Sequence, residues 1–345
     1  MCGVVSRWMM LRGRLVAGCM VCWLAAPAAL AAPAVSRAPS IESAEAVSPE
    51  DLGELKPFES LTKLRPRMRF YQQFQIGSDF GGADVDTYTS ALRLSLPIPL
   101  HERFGFRLVA SGDVRSYDFS DRNDLITSGQ SGDPWDELVS NGFRIEGRFM
   151  LADDWSLFGG TYLTSRFERG VSYADGVEGG GLVSVATRLW DRVTIMAGIG
   201  LGSRMHKSSV AISPVVLLSW DVTDTFRLES DGFGLEARWK LSKRVRLLLE
   251  GGYRGRRYRL DGRRGPVDPN DPQSGRVGKG TLRDRNAPIL AGVYWRISKH
   301  WRLRATAGAV VYQKYTIRDK DGDQVDTAST NDPAFLSRLW LQYRF

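Results

Sequence analysis

The chain has 345 residues, 47 of them basic and 39 acidic, and its three cysteines, Cys2, Cys19 and Cys22, all fall within the first 22 positions. Without Arg7, Arg12 and Arg14 the balance is 44 to 39, or +5, too mild to argue for nucleic acid as a partner. A chain cleaved after residue 31 would hold no cysteine, which excludes disulfides, thiolate nucleophiles and cysteine-ligated metals together.

Residues 1–31 read as a secretory signal peptide: Arg7, Arg12 and Arg14 make a basic start, Leu15 to Leu30 an apolar run, and Ala29-Leu30-Ala31 a small-residue cleavage site. Val16-Ala17-Gly18-Cys19 has the look of a lipoprotein box. The four residues between Arg14 and Cys19 are too few for the usual apolar stretch of roughly 7–15. Residues 32–64, rich in Ala, Pro, Ser and Glu without a sustained period, read as a linker. Beyond the signal no run of roughly 18 apolar residues offers a transmembrane helix.

From Arg65 onward the texture changes to period-two segments divided by turn chemistry. Fourteen strands are expected, at 66–76, 87–97, 104–117, 140–151, 155–167, 177–190, 193–204, 208–220, 225–231, 233–241, 244–259, 286–298, 301–316 and 334–345. If Asp231-Gly232 is a bulge instead of a turn, two segments merge and the number is twelve.

In the last segment Leu339, Leu341, Tyr343 and Phe345 share one face and Arg338, Trp340, Gln342 and Arg344 the other. This strand resembles the closing strand of bacterial outer-membrane β-barrels, in which a terminal Phe behind alternating apolar residues is the assembly signal. The resemblance implies an all-β fold, an antiparallel transmembrane barrel over 65–345 in the outer membrane of a double-membraned, Gram-negative bacterium. It also implies a periplasmic linker at 32–64 and contact with the barrel assembly machinery during biogenesis.

Connection lengths agree with a barrel. Every second connection is short, as at 152–154, 191–192, 221–224, 242–243 and 299–300, whereas 118–139, 260–285 and 317–333 are long. Outer-membrane barrels carry short turns on the periplasmic side and long loops outside. Trp155, Trp190, Trp220 and Trp301 stand beside the short turns, where amphipathic rings form a membrane girdle.

Parity divides each strand into a nearly uncharged face, typified by Leu92, Leu94 and Leu96, and a face carrying Arg93, Arg107, Arg144, Arg148, Arg238, Arg246, Arg254, Arg302, Arg304 and Arg338. An arginine facing the bilayer midplane costs roughly 2–4 kcal/mol, so the charged face is expected to line the lumen. Those arginines form either a salt-bridge lattice that only holds the barrel together or the lining of a channel favouring small anionic solutes.

His206 and Ser208 share the His-x-Ser spacing of outer-membrane lipid hydrolases, in which the His activates the hydroxyl against an ester. No Asn-Gly follows Ser208, and a hairpin tip that happens to hold both residues is the plainer account. Asp319, Asp321 and Asp323 begin like a calcium loop, but Gln324 stands where the turn glycine belongs and Thr330 where the bidentate Glu belongs. No phosphate-cradling loop, zinc spacing or other cofactor motif is present.

Three functions are thus open: a passive channel with an arginine-rich lumen, a closed barrel whose long loops meet lipopolysaccharide or surface partners, and a lipid esterase. The balance is against an enzyme.

Overall fold

The structure, a computed structural model, describes residues 64–80, 83–120, 134–135, 137–205, 207–231, 233–261 and 280–345. The expected signal peptide and all of the expected linker except its last residue lie outside the described residues.

Sixteen strand segments form one sheet. They are β1 (Arg67–Asp79), β2 (Asp84–Pro99), β3 (Phe104–Ser120), β4 (Leu138–Met150), β5 (Trp155–Glu168), β6 (Val177–Leu189), β7 (Val193–Arg204) and β8 (Lys207–Asp221). The second half holds β9 (Phe226–Asp231), β10 (Gly234–Lys240), β11 (Val245–Gly252), β12 (Arg254–Arg259), β13 (Thr281–Arg296), β14 (Trp301–Arg318), β15 (Gln324–Thr330) and β16 (Ala334–Arg344).

The segments make fourteen barrel strands. β11 and β12 are one strand broken at Tyr253, since both pair with β13. β15 and β16 are one strand broken at 331–333, since both pair with β14. Neighbouring strands run antiparallel, and β1 closes the barrel against β16 from Arg67↔Arg344 to Ile76↔Phe335. β9 and β10 pair as a hairpin, which gives fourteen strands and not twelve.

Two connections are shorter than their sequence suggests. β13 begins at Thr281, inside the expected connection 260–285, and β15 occupies 324–330 of the expected connection 317–333. The alternation is broken there by a register shift between Ala287 and Pro288, which leaves Val311 of β14 unmatched. A bulge of this kind inserts one residue and reverses the parity of the strand beyond it, so a strict period-two scan stops there. Pro288, which has no N–H to give the ladder, sits where the ladder is already interrupted.

Side-chain oxygens close several short turns. The Ser242 hydroxyl accepts the N–H groups of Arg244 and Val245 at 3.1 and 3.0 Å, and Ser298 accepts those of His300 and Trp301 at 3.2 and 3.0 Å. Thr223 does the same for Thr225 and Phe226. Hydroxyl groups that replace a backbone acceptor favour turn over strand, so the strands end at these residues.

Burial assigns the two faces. Leu235 and Leu249 are 53% and 55% exposed on the outside, while the adjacent Glu236 and Glu250 are buried inside. The outer face is apolar around the wall, with Leu92, Ile145, Leu163, Ile199, Val216, Leu247, Val293 and Leu339 among its exposed residues. Trp155, Trp190, Trp220 and Trp301 are also exposed, at the short-turn end, which in barrels of this architecture faces the periplasm.

The interior changes character along its length. Toward the long-loop end it is packed by Val85, Phe119, Trp135, Leu138, Tyr258, Leu260, Leu282, Tyr315 and Ile317, all buried in one cluster. Trp135 is the keystone: its ring meets those of Tyr117, Phe119 and Tyr315 at centroid distances of 5.5, 5.1 and 5.0 Å. A buried Arg115–Asp284 pair lies in the same half. Toward the short-turn end the interior is charged and holds a cavity.

Candidate functional site

Because side chains alternate, each lumen strand contributes charges at every second position, and the wall brings arginines and carboxylates from distant parts of the chain together. Arg227 Nε lies 2.7 Å from Glu229, whose other oxygen is 2.7 Å from Arg238 Nη1. Arg238 also binds Glu236. Glu236 in turn accepts from Arg304 Nη2 at 2.6 Å. Arg304 binds Glu250 as well, and Glu250 accepts from Arg338 Nη1 at 2.7 Å with Arg254 at 3.8 Å. Arg338 Nε ends the run on Gln73 at 2.9 Å. Six strands, β9, β10, β11, β14, β16 and β1, are stitched by one alternating ladder.

A second group sits on β3 and β4, where Glu146 accepts from Arg107 Nε at 2.6 Å and Arg144 Nη1 at 3.2 Å. Arg256 Nη1 reaches Asp113 at 3.1 Å. Two cations lie over rings: Arg69 is 4.7 Å from the Trp340 centroid and Arg246 is 5.9 Å from that of Tyr294. Such contacts hold a guanidinium without neutralising it.

These groups surround a cavity of about 850 Å³. Its lining includes fifteen arginines and one lysine against Asp113, Glu229, Glu236 and Glu250. Lys243 and Arg244, beside a short turn, belong to the lining, so the cavity reaches the short-turn rim. The aromatic cluster around Trp135 fills the interior beyond it.

All ten arginines of the charged face stand on the inner side of the wall. Arg93, Arg238, Arg246, Arg254, Arg302, Arg304 and Arg338 line the large cavity. Arg144 and Arg93 line a smaller one of about 60 Å³. Arg107 and Arg148 are buried on β3 and β4. The carboxylates share the charged face of their strands with the arginines, but their pairing is not legible in the sequence, because partners lie up to 143 positions apart. The apolar cluster at the long-loop end also left little mark on the sequence. Its only signal is that the inward positions of β3, β13 and β14 turn from charged to aromatic or aliphatic near the loops.

His206 lies outside the described residues, and with it the pairing with Ser208, which stands in β8. His101 Nδ1 accepts the N–H of Arg103 at 3.3 Å in a short turn. His300 Nδ1 lies 2.8 Å from the Arg344 carbonyl oxygen. The Asp319 carboxylate accepts the N–H groups of Asp321 and Asp323 at 3.0 and 2.9 Å, with Gly322 at φ +92° completing the turn. It therefore closes the β14–β15 hairpin. No group of three or more potential metal ligands gathers among the described residues.

An antiparallel wall joined end to end, apolar outside and ionic inside, is the inverse of a soluble fold and has the faces that crossing a bilayer with strands requires. The chain is an outer-membrane β-barrel. Neither a protein-family model nor a curated protein sequence matches it. Among solved structures, it is similar to an outer membrane channel from Pseudomonas putida F1, with 12% identity over 85% of this chain and 99% of that one, at a TM-score of 0.42. It is also similar to a Pseudomonas aeruginosa FadL homologue, with 10% identity over 87% and 95% and a TM-score of 0.44.

Proposed function

We propose that this outer-membrane barrel is a passive channel whose arginine-rich lumen favours small anionic solutes. The observation that carries the reading is the cavity itself, with sixteen basic side chains against four carboxylates in its lining and an opening at the short-turn rim. A cavity of one sign inside a low-dielectric wall concentrates counter-ions, and fixed guanidinium groups select among them by charge and hydrogen bonding.

The ladder has a structural role beside this one. It holds the arginines in place and neutralises part of the lining, so selectivity rests on the cations left outside it, chiefly Arg246 and Arg302. Neither has a carboxylate partner among the described residues.

One observation favours a second reading, a closed barrel that meets lipopolysaccharide or another surface partner through its outer loops: the cluster around Trp135 fills the interior at the long-loop end. Single-channel recording of the refolded mature protein in a planar bilayer, with reversal potential in a salt gradient, separates the two. Stable steps with anion preference are expected. Silence from demonstrably folded protein would overturn the channel and leave the closed barrel.

A further inference from the structure

The inner face of β3, β4 and β5 has a hollow where one position carries no side chain. Gly142 of β4 pairs with Ser111 of β3 on one side and with Thr164 of β5 on the other. Its inward neighbours along β4 are Ser140 and Arg144, since every second side chain faces the lumen. Ser140 stands between Asp113 and Arg166, and Arg144 between Val109 and Tyr162. Eight inward side chains thus ring one glycine, and the space over it is the smaller cavity of about 60 Å³. A water needs roughly 10–15 Å³ of such space, so the hollow takes one small polyatomic ion and little more.

The hollow is lined with donors. A Cβ on Gly142 would lie 3.1 Å from Ser111 Oγ and 3.6 Å from Thr164 Oγ1, so hydroxyl groups from opposite strands lean over the same point. Ser140, 8% exposed, supplies a third hydroxyl in the lining. None of the three has a hydrogen-bond partner among the described residues, although every residue of β3, β4 and β5 around them is described.

Three arginines add charge, each fixed by a carboxylate. Arg144 Nη1 lies 3.2 Å from Glu146 and Arg166 Nη1 lies 3.3 Å from Glu178. Arg256 reaches across from β12, its Nη1 3.1 Å from Asp113 Oδ2. Glu146 and Glu178 stand outside the lining, so they hold their arginines from behind. Among the described residues Asp113 is the one carboxylate that borders the hollow, and its Oδ1 lies outside the bond to Arg256.

We infer that the Gly142 hollow binds one hydrogen phosphate ion. Its unprotonated oxygens accept from the hydroxyls of Ser111, Ser140 and Thr164 and from Arg144 and Arg166, in charge-assisted bonds of the strong kind. Its P–OH donates to Asp113 Oδ1. Sulfate has the same shape and charge but no proton at neutral pH, so it meets that carboxylate with an oxygen and no bond between them. The inference rests on the channel reading, because Arg93, Ser111, Asp113 and Arg256 line both this hollow and the large cavity that leads to it. It replaces a general anion preference with one solute held at one place.

The test is calorimetric titration of the refolded mature protein in detergent with sodium phosphate, sodium sulfate and sodium chloride at neutral pH. One phosphate per barrel is expected, bound about tenfold more tightly than sulfate, as one hydrogen bond to a charged group allows. Asp113→Asn should erase that preference while sulfate binding persists. Gly142→Ala fills the floor of the hollow and should weaken phosphate by about tenfold, the loss of one such bond; the Ser111 hydroxyl can turn away from the added methyl, so the urea midpoint should hold. Arg166→Gln should weaken phosphate and sulfate alike. Phosphate that binds no more tightly than sulfate, or that is unaffected by both Gly142→Ala and Arg166→Gln, overturns the inference. Chloride conductance of the same preparation keeps the two proposals separate: conductance without phosphate preference removes this site alone, and phosphate preference without conductance removes the open channel alone.

Discussion

Arg338 on β16 donates to Glu250 on β11 at 2.7 Å although β13 and β14 stand between them in the wall. The intervening strands place Gly292 beside Thr306 and Gly308 beside Leu290 in register, and these glycines leave the inner face low enough for the two side chains to meet. Glu250 also binds Arg304, so one carboxylate serves two cations from neighbouring strands.

Removing that carboxylate's charge takes one partner from each cation, leaving Arg304 on Glu236 and Arg338 on Gln73. Glu250→Gln should destabilise the barrel by roughly 1–3 kcal/mol, short of the full cost of breaking a pair in a filled core, because Glu250 lines the cavity. Urea unfolding of the refolded protein reads it as a lowered midpoint. An unchanged midpoint would mean that the ladder does not hold the wall.

Arg246 tests selectivity without the ladder. It rests over Tyr294 and has no carboxylate partner among the described residues, so Arg246→Gln should leave the unfolding free energy from urea titration within about 0.5 kcal/mol of the parent, as surface-like substitutions do. The reversal potential in a salt gradient should move toward zero. Arg304→Gln should change both quantities, since it also takes one partner each from Glu236 and Glu250.

Trp135 is 1% exposed at the centre of the outer cluster. Trp135→Ala removes the ring on which Tyr117, Phe119 and Tyr315 converge, a loss of about 3–5 kcal/mol for a buried aromatic, here borne locally at the end of the barrel. If this packing limits flow, single-channel conductance should rise by about twofold or more, with the anion preference kept. A conductance equal to that of the parent would place the limiting constriction elsewhere.

The terminal strand is fastened by more than its hydrogen bonds. The Phe345 N–H donates to the Pro66 carbonyl at 3.2 Å, and the Tyr343 ring meets Trp301 tilted at 4.9 Å and Phe345 edge-on at 5.0 Å. Read as an assembly signal, Phe345→Ala should lower the amount of folded barrel in the outer membrane of cells several-fold. The unfolding free energy of protein refolded in vitro, read from urea titration, should shift by less than about 1 kcal/mol, since an exposed side chain carries little of the fold. Loss in both assays would make the residue a structural anchor instead.

Much of this architecture is local and therefore legible in the chain. Strand positions come from period two, the short turns from residues such as Ser242, Ser298 and Thr223, and the direction of the faces from the cost of placing Arg93 or Arg304 in lipid. The Asp231 turn was ambiguous because two residues of turn chemistry suit a hairpin and a bulge equally well; pairing of Gly234 with Asp231 settled it.

What the sequence by itself determined was the barrel, its membrane-facing belt and the identity of its lumen charges, all consequences of alternation within single strands. Only the tertiary structure decided which carboxylate holds which arginine, that Trp135 packs one end, and that β12 touches β5 across the interior. Those outcomes depend on contacts between strands far apart in the chain and on bulges that reverse parity, and neither leaves a periodic trace in the sequence.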